Sequence, residues 1–241
     1  MATTIQNILS RQILDSRGYP TIEADVMLSD GSIGTACVPS GASTGEKEAL
    51  EMRDNNKEWG GKGVHKALSN IQQHIKPALI GKSPFDISGI DQIMIDLDDT
   101  DNKTNLGANA ILAVSLANVR SGAVSRKKSL FEYIRSSTYP SNSLYPMIMP
   151  MPMMNILNGG SHADNNIDIQ EFMIIPKEFL TYKEALRSGV EIFHNLKSIL
   201  QLKNYSTAIG DEGGFAPNLL SNEQTLELIL EAIEKAGYKS G

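Results

Sequence analysis

From Thr21 to Leu28 the chain alternates, with Ile22, Ala24, Val26 and Leu28 on one side and Thr21, Glu23, Asp25 and Met27 on the other. That is the period of a strand with one buried and one wet face. Ser29–Ser32 then offers an Asp-Gly pair suited to a tight reversal, and Ile33 to Val38 returns. With residues 4–14, which mix apolar and polar positions and stop at Asp15–Gly18, the pattern predicts a small antiparallel meander. After Gly60–Gly63 the period lengthens. Val64, Leu68, Ile71, Ile75 and Leu79 form a helical stripe, and Ile87, Ile90, Met94 and Leu97 form a second. His65 and His74 lie off the first stripe and read as surface residues. Gly107–Arg120 is dense in alanine and other small residues, which predicts a buried helix able to take close neighbours. Leu130–Ile134 adds a short amphipathic helix.

Ser136–Ser143 reads as a linker, placing a boundary near residue 140 and dividing the chain into domains of 1–140 and 141–241. Beyond it, Leu144–Leu157 carries methionines among Pro146, Pro150 and Pro152 with no accompanying charge. It predicts a buried, irregular strand entrance rather than a soft-metal site. A strand over 168–175 follows. Thr181 with Glu184, and Ser221 with Gln224, carry capping signatures for two further helices, the first continued by Ala185, Val190, Phe193, Leu196 and Leu200. The second is continued by Leu226, Ile229, Ile233 and Ala236, and Gly237 is placed to end it.

Composition narrows the function classes. Of 241 residues, 41% are hydrophobic and 21% charged, an ordinary globular profile. With 22 basic and 28 acidic side chains, the formal net charge is −6 and no long basic block appears. This argues against a nucleic-acid or anionic-membrane surface. The lone Cys37 excludes an intramolecular disulfide, and its apolar setting predicts buried filler rather than a nucleophile. No secretory leader pattern or membrane-span pattern is present, so the cytoplasm is the expected compartment. The acidic run Asp96–Asp101 lacks the alternating ligands of a calcium loop and reads as a solvated turn.

The candidate chemistry lies in two Gly-framed polar loops. Asn158–Phe172 carries His162, Asp164, Asp168, Gln170 and Glu171, and Gly210–Asn218 carries Asp211 and Glu212. Carboxylates gathered from both would repel one another until a cation or a proton intervened. Solvated turns with scattered acids would show the same spacing. A third loop, Pro39–Gly45, could wrap an anion or touch a metal, or be a plain flexible connection. It does not match a Walker A loop.

Asp15–Gly18, Pro39–Gly45, Gly107–Leu112, Asn158–Ala163, Asp168–Phe172 and Gly210–Leu219 together resemble the enolase family, in the family's order and across nearly the whole chain. The Asp164–Ile169 stretch looks more like the bacterial branch. The resemblance implies an α+β N-terminal domain of antiparallel meander plus helices, followed by the first β-β-α-α part of an enolase-type barrel, left incomplete. It implies reversible dehydration of 2-phosphoglycerate to phosphoenolpyruvate in glycolysis with Mg2+, in the cytoplasm. By motif, Glu212 looks like the acid that helps expel the hydroxyl, assisted by Glu171. His162 and Gln170 look like substrate contacts beside Glu171, and Ser43 like a ligand of the second magnesium when its loop closes. The principal magnesium ligands, the lysine base and the phosphate-holding residues of the family have no counterpart in these 241 residues. The isolated chain is therefore expected to be inactive. A homodimer or a complementary fragment is the expected partner, and the alternative is a non-enzymatic enolase-like binding or dimerisation module. Asp99 stands where the family pattern usually has glycine.

Overall fold

The computed structural model describes residues 2–41, 45–138 and 146–241. The chain divides into two compact units, residues 1–144 and 145–241.

The first unit begins with an antiparallel sheet ordered β1 (Ile5–Leu14), β2 (Pro20–Leu28), β3 (Ile33–Cys37). The alternation read along β2 holds for its apolar face, where Ile22, Ala24, Val26 and Leu28 are fully buried. Thr21, expected on the wet face, is buried too, because its hydroxyl donates to the Val38 carbonyl at 2.9 Å. In β3 the inward positions are Gly34 and Ala36, so Cys37 points outward and is exposed. This corrects the expectation of a buried thiol: register, not hydrophobicity, decides which face a strand residue takes. Cys37 Sγ lies 3.2 Å from Glu23 Oε2, and that carboxylate holds the thiol above its ordinary range. It is accordingly protonated and a poor nucleophile at neutral pH.

The first helical stripe is realised as α1 (His65–Asn70), a π-helical segment (Ile71–Ile75) and α2 (Lys76–Leu79). Ala67, Ile71, Ile75 and Leu79 are buried, and His65 and His74 are exposed. Pro77 explains the widened turn, since it lacks an N–H and its ring crowds the carbonyl four residues back. The start of α1 is capped from a distance. Asp54 accepts from the His65 and Lys66 amides at 2.9 and 2.8 Å, satisfying groups that no local side chain caps.

α3 (Ile87–Asp98) buries Ile90 and Met94 but leaves Leu97 exposed, and it ends in a buried carboxylate. Asp98 accepts from the Leu106 and Asn105 amides at 2.6 and 3.2 Å and from the Thr100 hydroxyl. The acidic run is therefore not simply a solvated turn, because one of its members organises the loop into α4 (Ala108–Ser125). Asp99 follows at φ 52°, the left-handed geometry that glycine meets without strain. α4 is the spine anticipated from its alanines: Ala110, Ala113, Val114 and Ala117 are buried against the sheet. α5 (Leu130–Thr138) runs past Ser136, so the first three residues read as linker are helical, and 139–143 lie outside the described residues.

In the second unit β4 (Met154–Asn158) pairs antiparallel with β5 (Glu171–Ile174). The register shifts between Asn155 and Leu157, a bulge that frees Ile156 O and Asn158 N to bond Phe215 on the other edge. α6 (Tyr182–Leu202) and α7 (Asn222–Lys235) carry the predicted caps. Thr181 accepts from the Glu184 amide, Ser221 accepts from the Gln224 amide, and Gly237 lies at φ 83°. On α6 Val190 is exposed, and the buried positions are Ala185, Ser188, Gly189, Ile192, Leu196, Ile199 and Leu200. Gly189 is the site where the Met154 side chain crosses the helix. On α7 Leu226 is likewise exposed, while Thr225, Leu228, Ile229 and Ala232 are buried.

The Met-Pro stretch is not buried. Ile148 is 81% exposed, and Met147, Met149, Met151 and Met153 are each at least half exposed. Its apolar, uncharged composition favours burial, but among the described residues no sheet partner covers 146–153. The described residues of this unit form no closed barrel, and no helix among them is long and apolar enough to cross a membrane.

Candidate active site

Three backbone events bring the two polar loops together. β4 ends at Asn158, with β5 on one edge and Phe215 on the other; Phe215 N donates to Ile156 O at 3.0 Å, and Asn158 N donates to Phe215 O at 2.9 Å. Asp211 N donates to His162 O at 2.9 Å. Because β5 is antiparallel to β4, Glu171 at its start lies beside the end of β4. Strand direction thus collects residues from the end of one strand, the start of the next and the following loop.

Asn158 is the staple of this arrangement. It is fully buried; its Oδ1 accepts from Gly214 N at 2.9 Å and its Nδ2 donates to Gln170 O at 3.3 Å. Glycine is required where the loops touch, since a Cβ on Gly214 would meet Asn158 Oδ1 and the Leu157 backbone. Asn165 and Asn166 add a second lace. Asn165 Nδ2 donates to the Asn158 and Pro217 carbonyls, and Asn166 Nδ2 donates to Leu219 O at 2.6 Å. Sequence reading did not single out these asparagines. The available signal was a polar residue closing an apolar strand, but nothing in the sequence said where its amide points.

At the centre, His162 sits on a short 3₁₀ turn with its side chain 3% exposed. Its Nδ1 faces Glu171 Oε1 and Glu212 Oε2, each at 3.5 Å, and makes no hydrogen bond. One ligand atom from each of the three residues lies within 4.8 Å of the others, the one such group among the described residues. The Glu171 side chain is 25% exposed and that of Glu212 42%, so the cluster is closed behind the imidazole and open at Glu212.

Gln170 flanks the cluster, with its Oε1 accepting from the Ser161 hydroxyl at 2.9 Å. Asp164 and Asp168 are exposed and lie outside the group. Asp211 is exposed and contributes its amide to His162 O and its charge to Glu212. Ser43 lies outside the described residues. No lysine among the described residues is hydrogen-bonded or ion-paired to His162, Glu171 or Glu212.

The Glu212 carboxyl is held above its ordinary value of 4.5. Removal from water is the largest cause, followed by a hydrogen bond with Glu171 and by repulsion from Glu171 and Asp211, against an opposing pull from His162. The neighbouring carboxylate thus disfavours the charged form of Glu212. The consequence for stability has a definite sign. A carboxyl whose folded value is raised stabilises the fold fully below the unfolded value near 4.5, and that contribution is lost as pH rises through the higher folded value. Glu212→Gln, neutral throughout, should match the parent in urea denaturation at about pH 4 and exceed it at about pH 8. The gain should be at most ~1 kcal/mol, because solvent screens so exposed a group. Equal stability at both values would contradict the assignment.

A histidine and two glutamates meeting beside glycine-packed loops is the arrangement that the motif resemblance implied. The family model for the enolase N-terminal domain matches residues 5–134, and that for the enolase C-terminal TIM barrel domain matches residues 146–241. These matches span both units of the structure, and the first alone covers more than half of the chain, which therefore belongs to the enolase family.

Proposed function

We propose that the His162, Glu171 and Glu212 cluster is the acid side of a site for reversible dehydration of 2-phosphoglycerate to phosphoenolpyruvate. The observation that carries this reading is the convergence of two carboxylates on one buried imidazole, with Glu212, held above its ordinary value, the more exposed of the two. A hydroxyl leaves a carbon readily only if it is protonated as it departs, and a carboxyl kept protonated beyond its ordinary range is suited to that donation. Glu212 gives the proton, and Glu171 supports it from beside the same imidazole nitrogen. His162 and Gln170 border the pocket as substrate contacts, and Ser43 is assigned to metal binding through the resemblance alone.

The family uses magnesium. The described residues do not fit that ion. Magnesium takes oxygen donors in a near-octahedral shell, whose edges at its usual bond length are about 2.9 Å. The one cluster available offers an imidazole nitrogen 3.5 Å from each carboxylate oxygen. No step is therefore routed through magnesium. The proton beside the substrate carboxylate also needs a base, and no lysine among the described residues adjoins the cluster.

The 241-residue polypeptide is accordingly expected to bind substrate poorly and to turn it over at least ~1,000-fold more slowly than a complete enolase, since base and metal each contribute orders of magnitude. Absorbance of the enol product, followed with purified chain, 2-phosphoglycerate and magnesium, measures this. Turnover at a complete enolase's rate would overturn the division of labour. A non-enzymatic binding or dimerisation module is the second reading. It is favoured by the apolar surface of the second unit, where Ile148, Leu180 and Leu220 are each more than 80% exposed.

A further inference from the structure

We infer that His162, Glu171 and Glu212 form a binding site for a zinc-class transition-metal ion, one that discriminates against magnesium. This does not depend on the dehydration reading, because it rests on donor geometry alone.

The first observation is the orphaned nitrogen. His162 Nδ1 is buried without a hydrogen-bond partner, although two carboxylate oxygens face it at 3.5 Å. Buried polar atoms left unpaired are uncommon and cost about 1–3 kcal/mol each.

The second observation is the spacing. Zinc binds imidazole nitrogen and carboxylate oxygen at roughly 2.0–2.2 Å in a tetrahedron, so neighbouring donors stand about 3.4 Å apart. The two nitrogen-to-oxygen separations are 3.5 Å, too long for a good hydrogen bond and right for two edges of that tetrahedron. The three donor atoms all lie within 4.8 Å of one another, so closing the third edge needs only side-chain adjustment.

The third observation is the donor set. One imidazole and two carboxylates suit zinc and its first-row neighbours, whereas magnesium prefers oxygen throughout. Three protein ligands leave a fourth position open, and it lies on the side of Glu212, the most exposed of the three. The scaffold is firm where precision matters, because Asp211 N and Gly159 O hold the His162 backbone. Glu212, on the outer loop, can swing in and provides the entry path. Occupancy by such an ion would remove Glu171 and Glu212 from proton transfer.

Isothermal titration of the chelator-stripped 241-residue chain with zinc chloride and, separately, magnesium chloride tests this. One zinc ion per chain is expected, with magnesium at least ~100-fold weaker. Cobalt(II) substituted for zinc should show the intense visible absorption of a four-coordinate ion. His162→Ala and Glu171→Gln should each weaken zinc at least tenfold and abolish that absorption. Cys37→Ser and His74→Ala, both on exposed residues of the first unit, should change nothing. Glu212→Gln alters a side chain 42% exposed on a loop and should weaken zinc likewise, while a urea denaturation no weaker than the parent's separates that loss from misfolding. The proposal is overturned by zinc binding that survives all three cluster substitutions, by magnesium matching zinc, or by the absence of stoichiometric zinc binding.

Discussion

Gly34→Ala should destabilise the first unit by about 3 kcal/mol, lowering its melting temperature by on the order of 10 °C. Gly34 is the point where β3 meets α4, and a Cβ there would overlap Ser121 N, Ala117 O and Ser121 Cα. All three are helix backbone atoms, which cannot turn aside as the end of a side chain can. The strand or the helix must therefore move away, and Ala36, Ala113 and Ala117 would lose contacts within the same buried cluster. A control separates this clash from ordinary glycine strain. Gly31 has φ +86° but nothing within 4 Å of its would-be Cβ, so Gly31→Ala should cost only ~1 kcal/mol. Thermal melts of the two variants followed by circular dichroism give the comparison. Equal losses would mean that close packing of β3 on α4 is not what holds this unit together.

Asn158→Ala should be the most damaging single change in the second unit, at about 3 kcal/mol, and it should scatter the candidate site. The truncation strands the buried Gly214 amide, which Asn158 Oδ1 now pairs, removes one of two donors to the Gln170 carbonyl, leaving it the Gly159 amide, and opens a void between two loops. Hydrogen exchange reads the effect directly. The Gly214 amide should lose roughly 100-fold in protection, and the Phe215 amide, which donates to Ile156 O, should follow because both bonds anchor the same loop. If Gly214 kept its protection, the staple role would be wrong and the Asn165 and Asn166 bonds would have to carry the junction.

Much of the fold was legible because it is local. The β2 alternation, most positions of the 3.6-residue stripes and the Thr181 and Ser221 caps each follow from a few neighbouring residues and are present in the structure. The misreadings share one cause. Cys37, Leu97, Val190 and the methionines of 147–153 are apolar residues placed in an apolar pattern, and all are exposed. Hydrophobicity states a preference for burial, but burial also needs a surface opposite, and no window of sequence contains that surface. Thr21 and Asp98 err in the other direction. They are polar groups that could be buried because a carbonyl in one case, and two amides and a hydroxyl in the other, happened to be waiting.

By itself the sequence determined the family, the order of elements and the two polar loops, because motif identity and helical or strand period are written in adjacent residues. Only the tertiary structure decided that His162, Glu171 and Glu212 share one pocket, that Nδ1 is left unpaired there, and that Asn158 clasps the loops. Those facts depend on an antiparallel pairing and a bulge in β4 that bring residues as much as 56 positions apart into direct contact. Long-range contacts of that kind are set by how whole elements pack, and no local pattern encodes them.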